Sequence, residues 1–147
     1  MIITGSVKSI YSATESNQSV PRPIAEKLEC IVDHGIKHDK FAGKDLNRTV
    51  MIVGQKAYDM AEEESIRLEA GSLGENILLD FDPHDFIYGT QFRIGDVLLE
   101  ITDDCTMCKH LAQFDEALPA LLLHHRGRYC KILKGGIITP GQTVTLP

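Results

Sequence analysis

The sequence predicts a mainly β domain closed as a barrel, with two or so short helices. Three observations carry this: about eight apolar runs of strand length, turn residues at short intervals between them, and no strand–helix–strand rhythm of the kind a parallel sheet requires. At 147 residues the chain fits a single domain, 1–147, long enough to bury one core without staples. Its composition, 43% hydrophobic and 24% charged, is that of a folded globule rather than a disordered chain.

Residues 2–12, IITGSVKSIYS, alternate apolar and polar types and suit a first strand. The polar stretch SATESNQSVPRP that follows reads as a loop stiffened by two prolines. KLECIVD, residues 27–33, is a second strand, leading into the glycine-punctuated, charged loop HGIKHDKFAGKDLNR. TVMIV is short and β-branched, as a buried strand is. From Gln55 to Ala70 apolar residues recur at helical spacing, with glutamates on the other face and Gly71 as the stop signal. ENILLDF, TQFRI and DVLLEIT are strands, the last two joined by a tight turn at Ile94-Gly95-Asp96. After the cysteine-bearing loop DDCTMCKH, residues 115–125 form a short helix with Pro119 in its first turn. RYCKIL and QTVTL are the closing strands, linked by the turn-rich KGGIITPG.

The balance of 15 basic and 21 acidic residues gives a net charge of −6, which opposes sequence-independent binding to a phosphate backbone and argues against nucleic acid as partner. No stretch reaches the roughly 18 apolar residues of a membrane span, and the first residues lack the pattern of a signal peptide. The expected compartment is the cytoplasm, where Cys30, Cys105, Cys108 and Cys130 are free thiols or a reactive pair rather than structural disulfides.

The densest reactive cluster is Cys105-Thr106-Met107-Cys108-Lys109-His110, directly after the strand DVLLEIT, where a rigid sheet presents side chains to a pocket. Lys109 and His110 favour the thiolate of Cys108, the form that acts as nucleophile or metal ligand. The Cys-x-x-Cys spacing has three readings: half of a zinc site, a dithiol redox pair, or one functional cysteine with an incidental neighbour. Zinc lacks a second pair at matching spacing, and a thioredoxin-like motif lacks its strand–helix context. Cys30 and Cys130 lie inside strand-like runs and read as buried structural thiols.

The loop of residues 34–48 carries His34, His38, Asp39, Lys40, Lys44 and Arg48 around two glycines, types that bind anions but also make an ordinary solvated loop. GSLGENI places glycines beside Glu75 and Asn76, where backbone can approach a ligand closely. His124, His125, Arg126 and Arg128 cluster before the last long strand, a phosphate-recruiting composition or a solvated helix end.

In order and spacing these segments resemble the MOSC domain family, the small β-barrel domains related to the C-terminal part of molybdenum cofactor sulfurases. The resemblance rests on HGIKHDKFAGKDLNRTVMIV, similar to the family's Gly-Ile-x-Gly-Asp loop and Arg-x-Val strand, on GSLGENILL, on FRIGDVLLEIT with a cysteine six residues past the threonine, and on LKGGIITPGQTV. It implies a pyruvate-kinase-barrel-like fold. The family's single cysteine falls on Cys108, its loop aspartate on Asp39, its Gly-Glu-Asn motif on Gly74, Glu75 and Asn76, and its arginine on Arg48. His38 stands where the family has its second loop glycine.

The resemblance implies a molybdenum cofactor (molybdopterin) pocket, or one handling sulfur destined for that cofactor. Cys108 then carries a persulfide or ligates the metal, since a thiolate suits both. Asp39 and His110 join it as catalytic residues handling protons, and Arg48 and Asn76 orient the ligand beside Gly74 and Glu75. Lys109, His110, Arg48, Arg126 and Arg128 meet the cofactor phosphate. The implied partners are the small-molecule pterin cofactor or a sulfur donor protein. Pyridoxal phosphate, attached to the family through fused aminotransferase-like domains, is not expected on an internal lysine here. Two alternatives stand beside this reading: a non-catalytic cofactor carrier, and a structural thiol or zinc domain without catalysis.

Overall fold

The computed structural model of the protein describes residues 2–14, 16, 20–106 and 109–147. Met107 and Cys108 therefore lie outside the described residues, and Lys109 is described by its backbone alone.

The ten described strands are β1 (Ile2–Ile10), β2 (Leu28–Ile31), β3 (Gly35–Ile36), β4 (Val50–Gly54), β5 (Ile77–Leu79), β6 (Gln91–Ile94), β7 (Val97–Asp104), β8 (Arg128–Lys134), β9 (Gly136–Ile138) and β10 (Thr143–Leu146). Seven of them close into a barrel in the order β1-β10-β6-β7-β8-β4-β5, and β3-β2-β9 form a separate small sheet. The α-helices are α1 (Gln55–Glu63) and α2 (Leu118–Leu121). None of the described helices is long and apolar enough to cross a membrane.

Alternation decides which residues face inward. In β7, Val97, Leu99 and Ile101 are buried while their neighbours are half-buried, and β6 turns Phe92 and Ile94 to the same core. A period of two on a pleated strand sends successive side chains to opposite faces, so the polar residues between them face outward. The apolar run of β4 has a different cause. Val50 and Ile52 enter the barrel core, whereas Met51 and Val53 join a second cluster with Ala57, Tyr58 and Ala61 of α1 and with Leu118 and Leu122. A strand covered on both faces carries apolar residues at every position.

The structure departs from the sequence expectation in five places, one being that the helix expected over 115–125 is confined to Leu118–Leu121, with turns on either side. The helix after β4 stops at Glu63 rather than Ala70. Glu62, Glu63 and Glu64 load its C-terminal end with negative charge, which the helix dipole disfavours. Ser65 then turns the chain at φ 60, and Ile66 folds back, its N–H donating to the Ala61 carbonyl at 2.9 Å. Gly71 is accordingly no helix cap. It sits against another segment at φ +92, where a Cβ would lie 3.2 Å from the Arg22 backbone nitrogen.

The loop of residues 34–48 is also not wholly solvated, because Gly35–Ile36 pairs with β2 and Ile36 enters the barrel core. The link KGGIITPG contains β9, which pairs with β2 from the other side. Finally, one parallel crossover exists: β4 and β5, joined through α1, pair in parallel, Ile52 opposite Ile77.

Candidate functional site

A cavity of about 300 Å³ lies beside the second apolar cluster, lined by Met51, Leu73 and Cys105 of that cluster and by Tyr129. β7 ends beside it, so that Cys105 and, after the undescribed pair, His110 both line it. Arg22 enters from the loop after β1, Lys40 and Arg48 from the loop before β4, and Arg126 from just before β8. Leu73 and Gly74 also line the cavity.

Two successive carbonyls of this segment, those of Leu73 and Gly74, each accept from a buried guanidinium group. Arg126, 2% exposed, donates from Nη1 to the Leu73 carbonyl at 2.6 Å. Arg22, 8% exposed, donates from Nε to the Gly74 carbonyl at 2.8 Å. A Cβ on Gly74, whose φ is +85, would stand 3.4 Å from that Nε, so glycine permits this approach and the backbone turn that makes it. Each arginine retains one buried N–H group, Arg22 Nη1 and Arg126 Nε, without a hydrogen-bond partner among the described residues.

Arg126 Nη2 also lies 3.1 Å from His110 Nε2. A guanidinium only donates, so Nε2 accepts and the ring proton resides on Nδ1. Burial, then the charges of Arg126, Arg22 and Lys40, hold this imidazole below its ordinary pKa, which keeps it neutral at physiological pH.

Asp39 and Asn76 form the wall behind the cavity. Asp39 Oδ1 accepts from Ser12 Oγ at 2.8 Å, Ala13 N at 3.2 Å and Asn76 Nδ2 at 3.3 Å, while Oδ2 accepts from Phe41 N at 3.1 Å. Both oxygens are thus occupied in fixing two loops, a geometry that positions the wall. Asn76 Oδ1 accepts from Met51 N at 3.0 Å, and its Nδ2 also donates to the Tyr11 carbonyl at 3.1 Å.

Glu75 points away from the cavity into the second apolar cluster. Its Oε2 accepts from Tyr58 Oη at 2.5 Å and from Gly71 N at 3.2 Å, and Oε1 is buried without a partner among the described residues. Burial raises its pKa, against the lowering effect of these hydrogen bonds and of Arg126.

Arg48 lines the cavity but is already paired, with Asp103 and, at 3.8 Å, with Asp45. Its guanidinium lies 5.4 Å above the Tyr129 ring, and Tyr129 Oη donates to Cys105 Sγ at 3.5 Å. Arg128 is directed elsewhere: Nε pairs with Asp104 at 2.6 Å, and Nη1 donates to the Pro83 carbonyl at 3.2 Å and to that of Phe86. Gly127, at φ +135, separates the two arginines, and they serve opposite surroundings.

Among the sequence-predicted residues the fold brings Arg48, Gly74, Asn76, His110 and Arg126 to one cavity, with Asp39 behind it. Cys108, expected as nucleophile and metal ligand, and the side chain of Lys109 lie outside the described residues. Sequence reasoning missed Arg22 and Tyr129. The signal for Arg22 was its place between Pro21 and Pro23, a cation held in a stiffened segment. Cys30 and Cys130 are buried in the barrel core; burial pushes the Cys30 thiol up to about 12 and Cys130 higher still. Among the described residues no three His, Cys, Asp or Glu are grouped to hold a metal ion.

The model of the MOSC domain family matches residues 38–145, and the chain belongs to that family. MOSC domains are associated with the molybdenum cofactor. No curated protein matches the sequence. The solved YuaD protein of Bacillus subtilis superposes with a TM-score of 0.74 at 17% identity, over 95% of this chain and 93% of that one. YiiM from Escherichia coli gives 0.70 at 16% identity over 96% and 69% of the two chains. YiiM from Geobacillus stearothermophilus gives 0.68 at 18% over 99% and 74%. These likenesses show a shared fold.

Proposed function

We propose that the protein works on the molybdenum cofactor or on sulfur destined for it, with Cys108 as the reactive group. The observation that supports this best is that Cys105 and His110, the described residues bracketing the family cysteine, both line one cationic cavity. In the persulfide role, the Cys108 thiolate takes a sulfur atom from a persulfide donor, and the donor leaves as a thiol. In the metal role, the same thiolate is a soft ligand suited to molybdenum.

The residues present fit the cofactor's anionic end, because the cationic side chains of Arg22, Lys40, Arg48 and Arg126 all line the cavity. When bound, the cofactor supplies redox chemistry at its metal. The protein's own residues bind and orient: Arg126 and Arg22 hold the Leu73 and Gly74 carbonyls, and Asp39 with Asn76 holds the wall. His110, neutral and with its proton on Nδ1, is the group able to pass or hold a proton. Arg48 keeps Tyr129 over Cys105.

The test is elemental analysis and intact mass of protein purified without oxygen from a host that makes molybdenum cofactor, beside Cys108→Ser. Molybdenum, or one added sulfur atom, on the wild type and absent from the variant is the expected result. Neither signal on the wild type sinks the reading in favour of a carrier or structural role.

A further inference from the structure

Arg126 and Cys105 both line the cavity, and Gly127 ties them together. It follows Arg126 directly, is buried, and its carbonyl accepts from Cys105 N at 2.9 Å. Its own N–H donates to His84 Nε2 at 3.0 Å. A Cβ at this position would lie 2.6 Å from Met51 Cε and 3.0 Å from Val53 Cγ2, so the turn is pressed against β4. Residues 82–88, between β5 and β6, line no part of the cavity and hold this turn from behind. Besides the His84 contact, Asp82 Oδ2 accepts from His125 Nδ1 at 2.7 Å and the Pro83 carbonyl from Arg128 Nη1 at 3.2 Å. The Arg128 guanidinium lies 4.8 Å over the Tyr88 ring.

Of these contacts, the one to His84 alone requires a neutral imidazole. The Asp82 carboxylate needs a proton on His125 Nδ1, which the imidazolium and one neutral tautomer both carry, and Arg128 stays charged throughout. His84 Nε2 must instead accept from an N–H, and a protonated Nε2 is itself a donor. We infer that His84 is a positioning residue for the cavity and an acid-sensitive one: neutral, it holds the Gly127 turn that sets Arg126 and Cys105; protonated, it releases that turn and loosens this wall of the cavity. The charged and titratable groups facing the imidazole are Asp82 on its own segment, Asp104 at the end of β7, Arg128 on β8 and His125 before it. Burial above all, joined by Arg128 and His125 and opposed by Asp82 and Asp104, holds His84 below 6.5. The contact is therefore made at neutral pH and lost in acid. The inference goes beyond the proposed function, because it concerns the cavity wall whatever the cavity binds.

NMR of the full chain, titrated from neutral pH into mild acid, tests it by following the His84 ring and the protection of single amides against hydrogen exchange, corrected for their intrinsic rates. Protection at Gly127 and at Cys105 is expected to fall about tenfold with the midpoint of the His84 ring, since a buried donor is then left unmade. The amides paired between β6 and β7 report global opening and should keep their protection over the same range. In His84→Gln, whose side-chain oxygen accepts from Gly127 but does not titrate, the fall is absent. A fall at Gly127 without one at Cys105 overturns the positioning role, because the contact is then only local. Unchanged protection at Gly127 while the ring titrates, the same fall in His84→Gln, or no ring titration before the chain unfolds overturns it as well. Should His84→Gln fail to fold, the wild type decides alone, by whether the ring and both amides share one midpoint.

Discussion

Asn76 Nδ2 donates to Asp39 Oδ1 at 3.3 Å, and this contact joins the loop before β4 to the start of β5. The same amide spans β4 through Met51 N and the end of β1 through the Tyr11 carbonyl. Truncating it leaves buried donors and acceptors unsatisfied, each worth about 1–3 kcal/mol. Asn76→Ala is therefore expected to lower the unfolding free energy by about 3 kcal/mol, read from the urea midpoint. A loss below about 1 kcal/mol would show that water replaces these bonds.

Glu75 couples the same region to pH. Its folded-state pKa is raised by burial above the ordinary 4.5. Above 4.5 the native state keeps a proton that the unfolded chain has lost, so stability falls as pH rises from there. Glu75→Gln removes this dependence. The variant should gain on the wild type as pH rises above 4.5 in urea unfolding; parallel curves would refute the assignment.

His84 acts in the opposite direction. Burial, with Arg128 adding and Asp82 opposing, lowers its pKa below 6.5, and Nε2 accepts from Gly127 N at 3.0 Å. Here the unfolded chain binds protons first, so this contribution is present above 6.5 and is lost as pH falls through the folded value. His84→Gln keeps an acceptor for Gly127 and should flatten the acid limb of the stability profile.

His38 adopts φ 68, a left-handed conformation that glycine takes without cost. A side chain there costs about 1–2 kcal/mol, offset in part by glycine's greater freedom in the unfolded chain. His38→Gly should raise stability by up to about 1 kcal/mol in thermal or urea unfolding. A decrease would mean that the imidazole makes a compensating contact.

Iodoacetamide at mildly alkaline pH should leave Cys30 and Cys130 unmodified in the folded protein, because burial holds both thiols far above that pH. Peptide mapping checks this, with any labelling expected in the segment carrying Cys105 and Cys108.

The barrel strands were legible because alternation is a local property: DVLLEIT carries the period of two on its face. The small strands β3 and β9 were not, since two or three residues show no period, and their pairing with β2 is decided across the chain. The helix limit was hidden because periodicity continues through Ile66 and Leu68 while the charge on residues 62–64 ends the helix. Within the site, the motifs pointed to Asn76 and to the segment whose described residues Cys105 and His110 line the cavity. Arg22 escaped because its meaning lies in a carbonyl 52 positions away. Arg128 looked like a partner of Arg126 because the two are near neighbours in sequence. The turn at Gly127 sends them apart.

The small β3-β2-β9 sheet bears on how the protein behaves at high concentration. A closed barrel offers no free strand rim to another molecule, and the rims of the small sheet are only two and three residues long. So short a row of backbone donors and acceptors is a poor template for adding a foreign strand. The architecture therefore protects itself from edge-to-edge polymerisation by brevity.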